Sequence, residues 1–127
     1  MTRRLLSTDS AFERAFGYSR ALVQGPWVFV SGTTGYDYAR MVVPDDPVEQ
    51  ARNCWATIEA VLAEAGATLS DIVRCHYIVT DRSFAEPVLS VCGEVLKDVR
   101  PAATLIVAQL LKPEMKVEFE VTALKGA

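Results

Sequence analysis

The run "VRPAATLIVAQLL", residues 99–111, sets Arg100 and Pro101 at the mouth of an otherwise apolar stretch. A guanidinium there could grip an acidic ligand, because its planar fork matches the two oxygens of a carboxylate. The plain alternative is a solvated or inter-subunit ion pair at a strand entrance. Arg20 and Tyr18 are spaced to share one strand face, which makes Arg20 a second candidate cation; its plain reading is a surface charge. Glu118 and Glu120 recur on the polar face of "KVEFEVTAL", where an exposed carboxylate needs no special role. His76 is the chain's one histidine; its neighbour Cys75 falls on the opposite strand face and no carboxylate stands beside it in sequence, so it reads as a sheet residue. Cys54, Cys75 and Cys92 are odd in number, far apart and embedded in apolar segments, which suggests reduced core thiols. One histidine cannot assemble a metal site with them at any familiar spacing. "SGTTG" lacks the spacing of a phosphate loop. No metal and no cofactor is expected.

The elements that must hold these residues follow from periodicity. "ALVQGPWVFVSG" predicts two strands around a Gly25-Pro26 turn, with Trp27, Phe29 and Ser31 on one face and Val28 and Val30 on the other. Both faces are apolar, so this strand is expected to be central, and Trp27 and Trp55 are expected in the core. "RMVV" after the Tyr36-Asp37-Tyr38 loop predicts a short strand. In "DDPVEQARNCWATIEAVLAEAG", Asp46 suits an N-cap, Pro47 the first helical position, and Glu49 a capping-box spacing. Ala51, Cys54, Trp55, Ile58, Leu62 and Ala65 then recur at helical spacing until Gly66 ends the helix. "DIVRCHYIVT" predicts a strand burying Val73, Cys75, Tyr77 and Val79. "FAEPVLSVCGEVLKD" predicts a helix burying Val88, Val91, Cys92 and Val95, with Pro87 in its first turn. "AATLIVAQL" is apolar on both faces, and "KVEFEVTAL" turns Val117, Phe119, Val121 and Ala123 inward. The order is strands, helix, strand, helix, strands: an α+β domain over residues 1–127, a mixed sheet with two helices packed on one face. Strands apolar on both faces leave a second sheet face to be covered by another subunit.

Composition narrows the classes. Of 127 residues, half are hydrophobic, and the formal net charge of −3 argues against a nucleic-acid surface. The basic residues are scattered, apart from Arg3-Arg4 in an N-terminus read as flexible. No stretch approaches the roughly 20 apolar residues of a membrane span, and no signal-peptide core is present, so a cytoplasmic protein without membrane contact is expected.

Together, "VFVSGTTG", "EQARNCWATIEAVLAEAGATLSDIVRCHYIVTD", "RPAATLIVAQL" and "KVEFEVTAL", in this order and spacing, resemble the RidA/YjgF family, the reactive-intermediate deaminases also labelled endoribonuclease L-PSP. The resemblance implies a chorismate-mutase-like fold, a homotrimer, and small-molecule sites in clefts between subunits. It implies hydrolysis of reactive enamines or imines to carbonyl compounds and ammonia. An arginine in a "PARS"- or "PART"-like text grips the substrate carboxylate in relatives that do this; its position is read onto Ala102. The tyrosine position falls on Tyr18, the serine on Ser31, the cysteine or threonine position on Thr104, and the water-placing glutamate on Glu120.

The expected site is therefore Glu120 as catalyst, with Tyr18, Ser31, Arg100 and Thr104 binding substrate. Arg100, before a proline, is expected in extended geometry. Two residues from position 102, it would keep the same strand face about 6.6 Å away, at the cleft rim. Without an arginine at that position, simple amino-acid-derived imines are expected to be poor substrates. The alternative is a non-catalytic ligand-binding or regulatory trimer. A ribonuclease finds little support in an acidic chain without a basic, aromatic surface.

Overall fold

The computed structural model describes residues 2–126. Six strands form one mixed sheet: β1 (Arg3–Leu6), β2 (Ala21–Gln24), β3 (Trp27–Thr34), β4 (Ile72–Val79), β5 (Ala102–Val107) and β6 (Val117–Leu124). Their spatial order is β1-β2-β3-β6-β4-β5, antiparallel throughout except for the parallel β4–β5 pair. A parallel pair needs a crossover, and helix α3 (Ala85–Val95) supplies it. The long helix α2 (Pro47–Glu64) runs between β3 and β4, and a short helix α1 (Ala11–Phe16) precedes β2.

Local chemistry explains the ends of α2. Asp46 accepts a hydrogen bond from the Val48 N–H, Pro47 opens the first turn, and Gly66 takes a positive φ of 82° just past the end. Glu49 makes no return bond to Asp46 among the described residues, so the capping box expected from the spacing is half built. The apolar stripe of α2 meets the sheet as its periodicity requires. Ala51, Cys54, Ile58 and Leu62 are fully buried, and Trp55 packs against Tyr77 at 6.3 Å and Phe119 at 5.5 Å, rings that themselves meet at 4.9 Å. From β6, Val117, Phe119, Val121 and Ala123 face this core. The three cysteines lie in it, free and buried. Burial pushes the Cys54 and Cys75 thiols up and holds Cys92 at about 11, so none is poised as a nucleophile.

Several expectations are corrected. The N-terminal segment is an ordered edge strand, with Arg3 to Leu6 in register with Gln24 to Ala21. "RMVV" is a turn. Asp37 Oδ1 accepts from the N–H groups of Ala39 and Arg40, Met41 adopts a φ of 56°, and only an Asp37–Val42 bridge forms. Val73 is only half-buried, because a register shift between Ile72 and Arg74 hands the first inward position to Ile72. Trp27 is not a core residue: it stacks on Phe29 at 6.1 Å on the helix-free face. The apolar β5 is the sheet's edge, exposed at five of its six positions. Arg100 is outside β5 and not extended. Its N–H bonds the Leu96 carbonyl and its φ is 55°, so it closes the turn that follows α3 in the left-handed conformation that glycine usually fills.

Candidate functional site

The helix-free face carries the polar residues singled out by sequence. One row crosses it. In the β3–β6 ladder the register passes from Val30–Val121 to Thr33–Phe119, so Ser31 and Gly32 together stand opposite Glu120. Glu120 pairs in register with His76, and His76 with Thr104. The bulge inserts one residue into β3, and bulges of this kind re-aim neighbouring side chains.

Within the row the side chains are mostly committed to one another. His76 Nδ1 and Glu120 Oε1 are 3.0 Å apart, and Arg74 Nη2 donates to Thr104 Oγ1 at 3.3 Å. Arg74, His76 and Glu120, with Phe29, Val30, Val121 and Thr122, edge a groove of about 300 Å³. Sequence reasoning missed the His76–Glu120 pair, because the two residues meet only across the β4–β6 ladder. Ser31 donates its hydroxyl to the Ser19 carbonyl at 2.6 Å, tying β3 to the segment that carries Tyr18.

At the Gly32 end of the row lies a separate pocket of about 120 Å³, walled by Tyr18, Gly32, Thr34, Tyr38 and Glu118. Its rim is apolar, with Phe16 and Leu111 largely exposed. Glu118 faces Gly32 so closely that a Cβ there would lie 2.9 Å from the carboxyl carbon. A side chain at position 32 would push the carboxylate out of this place. Burial, and secondarily the charge of Glu120, raise the Glu118 carboxyl above the usual range, while Arg20 opposes the shift. Burial likewise raises the Tyr18 hydroxyl. The Tyr38 hydroxyl accepts from the Thr34 N–H at 2.8 Å and fixes the far wall.

Behind the pocket lies Arg20, 1% exposed, which overturns its reading as a surface charge. Nη2 donates to the Gly32 carbonyl at 2.6 Å. The guanidinium sits 5.9 Å from the Tyr18 ring centre and 5.1 Å from that of Tyr38. Nε and Nη1 are buried with no partner among the described residues, and no carboxylate there lies within ion-pair distance.

The structure thus brings Ser31, Glu120 and Thr104 into one row and sets Tyr18 at its end, but with Glu118 as the carboxylate in Tyr18's pocket. Arg100 joins neither. It borders a groove between α3 and β5 with Lys97, Leu96, Cys92 and Tyr77. From Pro101 along a Pro-Ala-Arg text, the third residue is Ala103 and not Ala102. Both are alanines, so the absence of a guanidinium there stands in either register.

A family model described as Endoribonuclease L-PSP matches residues 8–125. The chain belongs to this family, the RidA/YjgF proteins. A crystal structure of a YjgF/YER057c/UK114 family member from Mycobacterium tuberculosis superposes with a TM-score of 0.89 at 39% identity, covering 97% of this chain and 99% of that one. A putative endoribonuclease from Thermotoga maritima gives a TM-score of 0.88 at 26% identity, with all of each chain covered. The RutC family protein UK114 of Drosophila melanogaster is 30% identical over 128 residues, spanning 100% of this chain and 93% of its own. The RidA/YjgF assignment accounts for the mixed sheet as observed. Among the described residues, no helix is long and apolar enough to cross a membrane.

Proposed function

We propose that this chain is a RidA-like small-molecule hydrolase of imines, working as a homotrimer with its sites in clefts between subunits. The observation that carries the reading is the Tyr18–Gly32–Glu118 pocket. A half-buried carboxylate with raised proton affinity and no hydrogen-bond partner among the described residues opens there beside Tyr18. A base whose proton affinity moves toward working pH is better matched to taking a proton from water. Glu118 removes the proton as the water oxygen bonds to the imine carbon, and the C=N electron pair goes to nitrogen, which gains a proton. The tetrahedral aminoalcohol then expels ammonia, and the C=O bond forms as its hydroxyl proton leaves. Imine and water are consumed; carbonyl compound and ammonia are released. Tyr18 orients the ligand, Ser31 acts through its bond to Ser19, and Gly32 leaves room for the carboxylate.

The role first expected of Glu120 is reassigned on this geometry, because Glu120 already holds His76. Thr104 borders the site through Arg74, and Arg100 is left out. Trimer formation is supported by the uncovered apolar surface of the helix-free face, where Trp27, Phe29 and Ile106 are each about two-fifths exposed or more. The second reading, a binding or regulatory trimer without turnover, is favoured by one observation: an alanine, Ala103, stands where hydrolysing relatives are expected to carry arginine.

Release of ammonia from freshly generated imines, with Glu118→Gln and Glu120→Gln measured alongside, separates the readings. Loss of about 10²–10⁴-fold in Glu118→Gln, with near-full rate in Glu120→Gln, is the expected result. A cleft that binds ligand without accelerating hydrolysis in the unmodified protein leaves the binding module.

A further inference from the structure

The least explained group in the molecule is the Arg20 side chain. A charged group removed from water costs several kcal/mol unless it is paired and hydrogen-bonded. Arg20 is buried and uses one of its nitrogens on the Gly32 carbonyl, while Nε and Nη1 have no acceptor among the described residues. Neighbouring carboxylates do not answer it. Glu13 spends its oxygens on Ser7 and Thr8, at 2.8 and 2.6 Å. Glu118 sits against Gly32 and makes no bond to the guanidinium. The stacked rings of Tyr18 and Tyr38 satisfy the faces of the cation but not its in-plane N–H groups.

The guanidinium lies behind the walls of the 120 Å³ pocket, since Tyr18, Tyr38 and Gly32 neighbour it and line the cavity. Tyr18 is 39% exposed, so its ring is the wall that can turn aside without unpacking the core. The cavity holds about four water volumes. That suits a ligand of a few heavy atoms, one end anionic.

We propose that Arg20 is the anion-recognising residue of the Tyr18–Glu118 pocket, and that Nη1, with the second N–H of Nη2, receives the carboxylate of a small ligand once Tyr18 moves. The proposal rests on the pocket being the ligand site, as argued above, but not on turnover. It places the cation on the segment entering β2, not on the β5 edge where Ala102 and Ala103 stand. It also reverses the expectation that carboxylate-bearing compounds bind poorly for want of an arginine there.

Equilibrium binding tests it in the full-length protein. The probes are propanoate and its uncharged amide, propanamide, which differ little in size. The Nε–H resonance of Arg20 is followed by ¹H–¹⁵N NMR, and dissociation constants are read from the titration. Expected is a saturable shift of that resonance with propanoate, and binding of propanamide weaker by about 30-fold or more, as loss of one partner of a buried charge pair implies. Arg20→Lys keeps the charge without the fork, and should retain part of the preference; Arg20→Met should abolish it. If Arg20→Met does not fold, the Arg20 resonance in the unmodified protein still decides. Equal affinity for acid and amide, or propanoate binding that leaves the Arg20 Nε–H unmoved, overturns the proposal. The same holds if Arg20→Met folds and still prefers the acid. Absence of imine hydrolysis alongside a clear acid preference would remove the hydrolase reading and leave the Arg20 subsite standing.

Discussion

At the scale of single residues, Glu118 links stability to pH. Its carboxyl binds a proton more tightly in the folded protein than in the unfolded chain, because burial and Glu120 disfavour the charge. The folded state therefore holds the extra proton. Its stabilising effect is full below the unfolded glutamate value of about 4.3 and is lost as pH rises through the elevated folded value. Glu118→Gln, which cannot ionise, should gain melting temperature relative to the parent as pH rises through that window. Thermal melts at pH 4 and pH 8 check this; a difference that stays constant between them would contradict the burial argument. Arg100 carries a different cost. A non-glycine residue at φ 55° gives up roughly 1 kcal/mol or more to its Cβ, so Arg100→Gly should raise stability by about that amount in denaturant titrations. If Arg100 instead anchors a ligand or a neighbouring subunit, the same change should weaken association and the gain should disappear.

At the scale of elements, α2 and β5 behave in opposite ways. The helix is specified locally: Asp46→Ala removes the acceptor for the Val48 N–H and should cost about 1 kcal/mol, leaving the fold intact by circular dichroism. Strand β5 is specified by what lies outside it. It is an exposed apolar edge with no lysine, arginine or proline between Ala102 and Val107, the usual devices that keep an edge from pairing. Ile106, 42% exposed on this edge strand, should tolerate Ile106→Lys within about 0.5 kcal/mol in an isolated protomer. In the assembled protein the same substitution should weaken self-association, which sedimentation across a dilution series measures. Unchanged association would show that β5 is not part of the contact surface.

At the scale of the whole molecule, the helix-free face combines Trp27, Phe29 and Ile106 with the His76–Glu120 and Arg74–Thr104 pairs. An apolar face with embedded polar pairs is what a subunit interface needs, since it excludes water while holding register. If the proposed homotrimer forms, sedimentation equilibrium at micromolar concentration gives a trimer; a monomer there would remove the proposed inter-subunit clefts. What the sequence determined by itself is what short-range periodicity encodes: α2 with its cap and Gly66 stop, the buried stripe of β6, the buried thiols, and the family, whose motifs keep their order along the chain. The tertiary structure alone decided which strand is an edge, because apolar residues look alike whether another strand or another subunit covers them. It alone turned Arg20 from a surface charge into a buried one. It alone joined His76 to Glu120 across 44 residues, and it chose Glu118 over Glu120 for the Tyr18 pocket. That choice hangs on one inserted residue in β3, a bulge between Val30 and Thr33 that no period-of-two reading of "VFVSGTTG" contains. Strand period fixes which residues share a face, but only cross-strand register fixes which of them meet.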